Sequence, residues 1–148
     1  MFGEMPEFCE IHPLNSLGEY VFVVTLSEYR GRLLLSRHRS RDTWETQGGH
    51  IEPGETPLDA ACRELFEESG ARQYQIAPLC DYRAGEGASA ANGMVFVAKI
   101  TDLGELPPSE MAETRAFDAL PTQLTYGDIT PKLYAEARRQ GWFSGFSG

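Results

Sequence analysis

Cysteine, histidine and basic residues are all scarce in this chain of 148 residues, and each scarcity narrows what it can be. Its three cysteines, Cys9, Cys62 and Cys80, are an odd number with no CxxC spacing, so they offer neither a disulfide framework nor a zinc site. His12, His38 and His50 also lack zinc spacing, and none is assigned as a ligand. The opening MFGEMPEFCEIHP has neither a basic start nor an apolar run of signal length, which predicts a reduced, cytoplasmic protein. No apolar segment approaches the roughly 20 residues that span a bilayer, so no membrane partner is expected. Lys and Arg number 13 against 22 Asp and Glu, a net charge of −9. The surface as a whole therefore repels nucleic-acid backbones and anionic membranes, and only a local basic patch or a bound cation reverses that at one place. A nucleic-acid polymer is not an expected partner. With 41% hydrophobic and 24% charged residues the chain is not of disordered composition, and its length predicts one domain over residues 1–148.

What is present is a series of short strand signals broken by one conspicuous helix. YVFVVTL (20–26) and RLLLSRH (32–38) are aliphatic or β-branched runs joined through Arg30-Gly31, which suits a tight reversal, and they predict a hairpin. YQIAPLCDYRA (74–84) and MVFVAKI (94–100) flank a loop rich in Gly, Ala and Ser, and the second run is apolar enough for burial on both faces. The Pro pair in GELPPSE (104–110) forbids regular structure, and TRAFDAL predicts one more strand. Near the end Thr130 is the expected cap of a helix with Pro131 in its first position and Gly141 as its stop. No repeats or linkers interrupt this, and a single α/β domain with a mixed sheet is the economical reading.

The conspicuous helix lies in GGHIEPGETPLDAACRELFEESGA, residues 48–71. Thr56 as hydroxyl cap, Pro57 in the first turn and Asp59 reaching back form an N-terminal signature, and Gly70 is the matching stop. Leu58, Ala61, Cys62, Leu65 and Phe66 make an apolar stripe predicted to dock on the sheet. Glu64, Glu67 and Glu68 recur at i, i+3 and i+4, so their carboxylates share one face and destabilise the helix by mutual repulsion. A hard divalent cation offsets that repulsion, because Mg²⁺ takes oxygen ligands, keeps several waters and is commonly shared between carboxylates and substrate phosphates. The alternative is an ordinary solvated acidic face.

Gly49, Glu55, Arg63, Glu64, Glu67, Glu68 and Gly70 stand in the order G-x5-E-x7-R-E-x-x-E-E-x-G, which resembles the Nudix box over residues 49–71 at all its fixed positions. With residue usage near 7% each, seven matches at a given start arise by chance on the order of once in 10⁸. Ala71 is smaller than the usual aliphatic residue there, and Gln47 stands where many relatives have Pro before the two glycines, a change expected to alter the turn rather than the chemistry. The run RLLLSRHRSRDTWETQGGHIEPGE is similar to small bacterial members described as MutT-like. The resemblance implies a Nudix α/β/α sandwich and hydrolysis of a diphosphate linkage in a nucleoside diphosphate linked to X by water attacking phosphorus.

By that resemblance Glu64, Glu67 and Glu68 match the glutamates that hold Mg²⁺, or Mn²⁺ in its place, with a backbone carbonyl of Gly48 or Gly49 as a further ligand. Glu64 is also a candidate general base, and Arg63 an orienting partner for Glu55 or a helix glutamate. Some family members draw a base or ligand from a later loop, where Glu113 is the first choice and Glu110 the second. Arg37, Arg39 and Arg41, with His38, lead into the box as candidate phosphate contacts. Trp44 is a candidate stacking platform for a base, against the reading that it is core. Markers of enzymes acting on NADH, ADP-ribose or diadenosine polyphosphates are not found after Gly70, which points to nucleoside triphosphates, oxidised dGTP first among them, cleaved to monophosphate and pyrophosphate. Two alternatives stay open: a nucleotide sensor that does not hydrolyse, and an isomerase of the isopentenyl-diphosphate type, which needs a catalytic Cys. Trp142, Phe143 and Phe146 near the end either pack on a second copy in a homodimer or cover this chain's own core.

Overall fold

Arg30 and Gly31 both take positive φ, 52° and 77°, as the two central residues of a type I′ turn must, and they close the expected hairpin. The computed structural model describes residues 7–86 and 89–143. In chain order these form β1 (Glu7–His12), β2 (Phe22–Tyr29), β3 (Arg32–His38), β4 (Gln47–His50), α1 (Pro57–Ser69), β5 (Ala71–Glu86), β6 (Ala91–Leu103), β7 (Met111–Phe117) and α2 (Thr130–Arg139). One mixed sheet has the order β1-β5-β6-β2-β3-β7, with β4 paired to β2. Among the strands of the described residues only the central β2–β6 pairing is parallel.

The run MVFVAKI lies in β6 and is buried on both faces, as its composition predicts. Val95 and Val97 point to a core shared with Leu133, Tyr134 and Ala137 of α2. Met94 and Phe96 point the other way to Ala60 and Ala61 of α1, and Ala98 and Ile100 meet Leu65 on that same side. The period-2 alternation of one strand thus serves a helix on each side, which is the α/β/α sandwich. Among the described residues no helix is long and apolar enough to cross a membrane.

Three expectations need adjustment, and for Phe143 one of two open alternatives is met. The stripe on α1 is rotated: Leu58 and Phe66 are 47% and 48% exposed, and the helix docks through Ala60, Ala61, Leu65 and Ser69. Small residues let the helix approach closely, and the inward positions left over belong to glutamates rather than to the two large apolar side chains. Thr130 lies inside α2 and Ile129 is its cap, without a side-chain hydrogen bond, because the turn at 126–129 already supplies backbone partners through Tyr126 O. β7 begins at Met111, three residues before TRAFDAL, since Met111 is buried and its strand follows β3 past a bulge at Arg37/His38. Phe143 packs on Tyr134 with ring centroids 5.4 Å apart and so covers this chain's own core, while Phe146 lies outside the described residues.

Candidate active site

The floor of the site is β4. Its register along β2, from Thr25 opposite Gln47 to Phe22 opposite His50, lays Gly48 and Gly49 beside α1. A Cβ on Gly48 would strike the Val23 carbonyl, so that position needs glycine for close approach, and one on Gly49 would displace the Glu64 carboxylate from its place. The loop from β4 to α1 is tied back by Arg63. Its Nε and Nη2 donate to Glu55 Oε2 and Oε1 at 2.7 and 2.9 Å, and Nη2 also donates to the His50 carbonyl at 3.1 Å. The Glu52 amide donates to the same Glu55 carboxylate at 2.8 Å. These bonds, those of Arg63 first, hold Glu55 down at about 2. Arg63 is therefore the orienting partner that clamps loop to helix, with Thr56 and Asp59 completing a capping box below it.

On the inward side of α1 Glu64 and Glu68 are not part of a solvated face, while the Glu67 side chain is 46% exposed. The Glu64 side chain is only 13% exposed. Burial, then a hydrogen bond with Glu67, push Glu64 up to about 7 against the pull of Arg63. Glu68 Oε1 accepts from the Gly48 amide at 2.8 Å, yet burial, with Glu64, Glu45 and Glu110 adding repulsion, carries it to about 8. Glu67 is the outermost of the three, and Arg63 Nη1 donates to it at 3.3 Å.

These carboxylates line a cleft of about 450 Å³ with the backbone of Gly48, Gly49 and His50 on one wall and Pro108, Ser109 and Glu110 on another. Two carboxylates drawn out of water with their charged forms disfavoured, Glu64 and Glu68, beside the more exposed Glu67, are a donor set that a hard divalent cation suits. Among the described residues no three His, Cys, Asp or Glu side chains form a ready cage, so such a cation would complete its shell with carbonyls, waters and substrate oxygens.

Glu110 lines the cleft and Glu113 does not. Glu113 is instead bound across β3 and β7 by Arg37 Nε at 3.0 Å, with Arg115 at 3.5 Å on its other oxygen. Arg39 Nε donates to the Ser109 carbonyl and thereby steadies the loop that carries Glu110. Arg41 pairs with Glu45 at 3.1 Å. All three arginines thus already have partners in the protein. Trp44 is 6% exposed, packs edge-on to Phe117 at 5.0 Å and carries the Arg115 guanidinium over its ring. It sits in the core rather than in the cleft. Neither Cys62 nor Cys80 lines the cleft, and burial drives the Cys80 thiol up to about 12.

A second cavity escaped the sequence reading. It holds about 290 Å³ and is lined chiefly by apolar and aromatic side chains, Phe22, Tyr82, Tyr126, Ile129 and Leu133 among them, with Glu45 and Thr130 as polar points. Phe22 meets Tyr82 edge-on at 5.1 Å. This cavity and the carboxylate cleft share Gly48, Gly49 and His50. No linear pattern announces it, because its walls come from β2, β4, β5, the segment before α2 and the first turn of α2.

The NUDIX domain model matches residues 17–139. An RNA pyrophosphohydrolase of Bartonella quintana is 45% identical over 47 residues, 28% of this chain and 27% of that protein. One from Francisella philomiragia is 33% identical over 60 residues, 40% of this chain and 39% of that one. The matched segments thus span well under half of these relatives. The crystal structure of a Bacillus subtilis pyrophosphohydrolase superimposes with a TM-score of 0.79 over 94% of this chain and 99% of that one at 22% identity, a likeness of fold.

Proposed function

The chain belongs to the NUDIX family, and from that premise we propose that it is a metal-dependent pyrophosphohydrolase that cleaves a nucleoside triphosphate, oxidised dGTP first among candidates, to monophosphate and pyrophosphate. Nudix hydrolases generally need divalent metal ions; Mg²⁺, or Mn²⁺ in its place, is the ion proposed here. The observation that carries this reading is the junction of the two cavities at Gly48, Gly49 and His50. A carboxylate cleft for a metal-bound polyphosphate opens directly beside an aromatic pocket of the size and chemistry of a nucleobase.

In this reading Glu64, Glu67 and Glu68, with the Gly48 or Gly49 carbonyl, hold the cation. When bound, it supplies charge neutralisation for the phosphates and acidifies the attacking water. Glu110, on the opposite wall, accepts the proton as the water oxygen bonds to phosphorus and the P–O bond to pyrophosphate breaks. Arg63 keeps the loop in place through Glu55. Phe22 and Tyr126 face the base.

A second reading takes the 5′ end of an RNA as substrate, favoured by the names of the curated relatives. Against a long polymer stand the net charge of −9 and the internal pairing of Arg37 and Arg41. The deciding experiment incubates the protein and its Glu67→Gln variant with Mg²⁺ and, separately, dNTPs, oxidised dGTP, ADP-ribose, a UDP-sugar and a 5′-triphosphorylated oligoribonucleotide. Monophosphate and pyrophosphate from a free triphosphate, lost in the variant, support the first reading. Turnover of the oligonucleotide alone supports the second, and no turnover of anything defeats both.

A further inference from the structure

Gln47, the residue that departs from the family pattern, is fully buried and sits at the centre of a polar chain beneath the glutamates. Its Nε2 donates to the Leu34 carbonyl at 3.2 Å and to Ser36 Oγ at 3.0 Å. Its Oε1 accepts from Ser27 Oγ at 2.6 Å, and Ser36 Oγ in turn donates to the Glu68 carbonyl at 2.7 Å. Ser27 and Ser36 are both 0% exposed.

The direction of every bond follows from one fixed acceptor. A backbone carbonyl cannot donate, so the atom facing Leu34 O must be the amide nitrogen, and the amide oxygen then faces Ser27. The same nitrogen fills a lone pair on Ser36, which leaves the Ser36 proton for the Glu68 carbonyl. That carbonyl is one of the last four of α1, which lack partners within the helix.

Glu68 is consequently held twice. Ser36 holds its backbone and the Gly48 amide holds its carboxylate. Both holds run through Gln47, by its side chain to Ser36 and by its peptide bond to Gly48. Ser36 is itself locked to the segment before β4, exchanging two backbone bonds of 2.8 Å with Glu45. The ring Gln47, Ser36, Glu68, Gly48 ties two strands, β3 and β4, to the end of α1.

We propose that Gln47 and Ser36 are positioning residues that fix the Glu68 carboxylate and the adjoining Gly48-Gly49 backbone for the divalent cation. Their loss then weakens cation binding before any substrate is present. The inference rests on the reading of the cleft as a metal site, and the chain's Gln in place of Pro is a functional substitution rather than a neutral change of turn. A buried polar network of this kind tolerates no half measures, because an apolar side chain at 47 leaves the Leu34 carbonyl and both serine hydroxyls short of partners.

The test is Mn²⁺ affinity, followed by the loss of the free-ion paramagnetic resonance signal at 25 °C and without nucleotide. Wild type, Gln47→Met, Ser36→Ala and Ser27→Ala are compared, each at a temperature well below its measured melting point. Gln47→Met keeps the volume and Ser36→Ala removes only the relay to Glu68. Both should raise the Mn²⁺ Kd about tenfold or more. Ser27→Ala, at the far end of the chain, should change it less than either. A purely structural role lowers the melting point and leaves Kd alone, so wild-type Kd in a folded Ser36→Ala protein overturns the proposal even if Gln47→Met does not fold. Wild-type protein that binds no Mn²⁺ fails the metal-site reading itself, and the inference with it.

Discussion

Raising the pH of the metal-free protein from 5 to 8 should destabilise it. Glu64 and Glu68 are held up at about 7 and about 8 in the folded protein, against 4.5 for an ordinary glutamate. The folded state therefore keeps protons that the unfolded chain has already released. Stability from these groups is full below about pH 4.5 and falls as pH rises through 7 and 8, the reverse of the usual behaviour of carboxylates. Each unit of displacement is worth about 1.4 kcal/mol at most. Water still reaches part of Glu64, and ionisation of one carboxyl resists that of the other, so a combined loss of about 3 kcal/mol is the working figure. For a protein of this size that corresponds to a fall of about 6–12 °C in melting temperature. The assay is scanning calorimetry in a chelator at pH 5, 6, 7 and 8, repeated with excess Mg²⁺ and with Glu68→Gln. Mg²⁺ should restore stability most at pH 8, by about 2.7 kcal/mol at a hundredfold excess over Kd. Glu68→Gln should flatten the slope. A metal-free wild-type melting point that is level or rises over this range would refute the reasoning.

Three further expectations follow from single contacts. Gly49→Ala places a methyl group onto the Glu64 carboxylate, so Mg²⁺-dependent turnover should fall about a hundredfold or more while the far-UV circular dichroism is unchanged. Arg63→Lys loses the two-pronged hold on Glu55, and because Glu55 is held at about 2 its contribution is present above pH 4.5 and lost below. The variant's melting point should accordingly lie nearer that of wild type at pH 3 than at pH 6. Trp44→Ala empties a core position and should cost about 3–5 kcal/mol in urea denaturation, whereas a role in stacking on the base would show mainly as a higher KM.

Much of α1 was legible because its ends are written in local chemistry. Thr56, Pro57, Asp59 and Gly70 act on their own neighbours, and all behave in the structure as their types dictate. The face it buries was not legible. Leu58 and Phe66 satisfy the apolar period, yet the strands opposite leave room only for Ala60, Ala61 and Leu65 and for the carboxylates of Glu64 and Glu68. A site that needs buried acids takes positions that periodicity assigns to the core. The arginines illustrate a different limit. Arg37, Arg39 and Arg41 form a basic cluster in sequence, but Glu113, Ser109 and Glu45 reach them through folding. Glu110 and Glu113 are near neighbours in the chain, and only the start of β7 decides which one faces the cleft. The aromatic pocket was invisible for the same reason: Phe22 and Tyr82 come from separate strands and Tyr126 from the turn before α2, and only folding brings them together.

The most direct test of the central claim is a Mn²⁺ titration of the wild-type protein beside Glu64→Gln/Glu68→Gln at pH 8, with pyrophosphate release from the best triphosphate measured on the same samples. The account predicts saturable binding and turnover in the wild type, with both lost together in the double variant. Equal Mn²⁺ binding by the two proteins, or turnover that survives the double substitution, would contradict it.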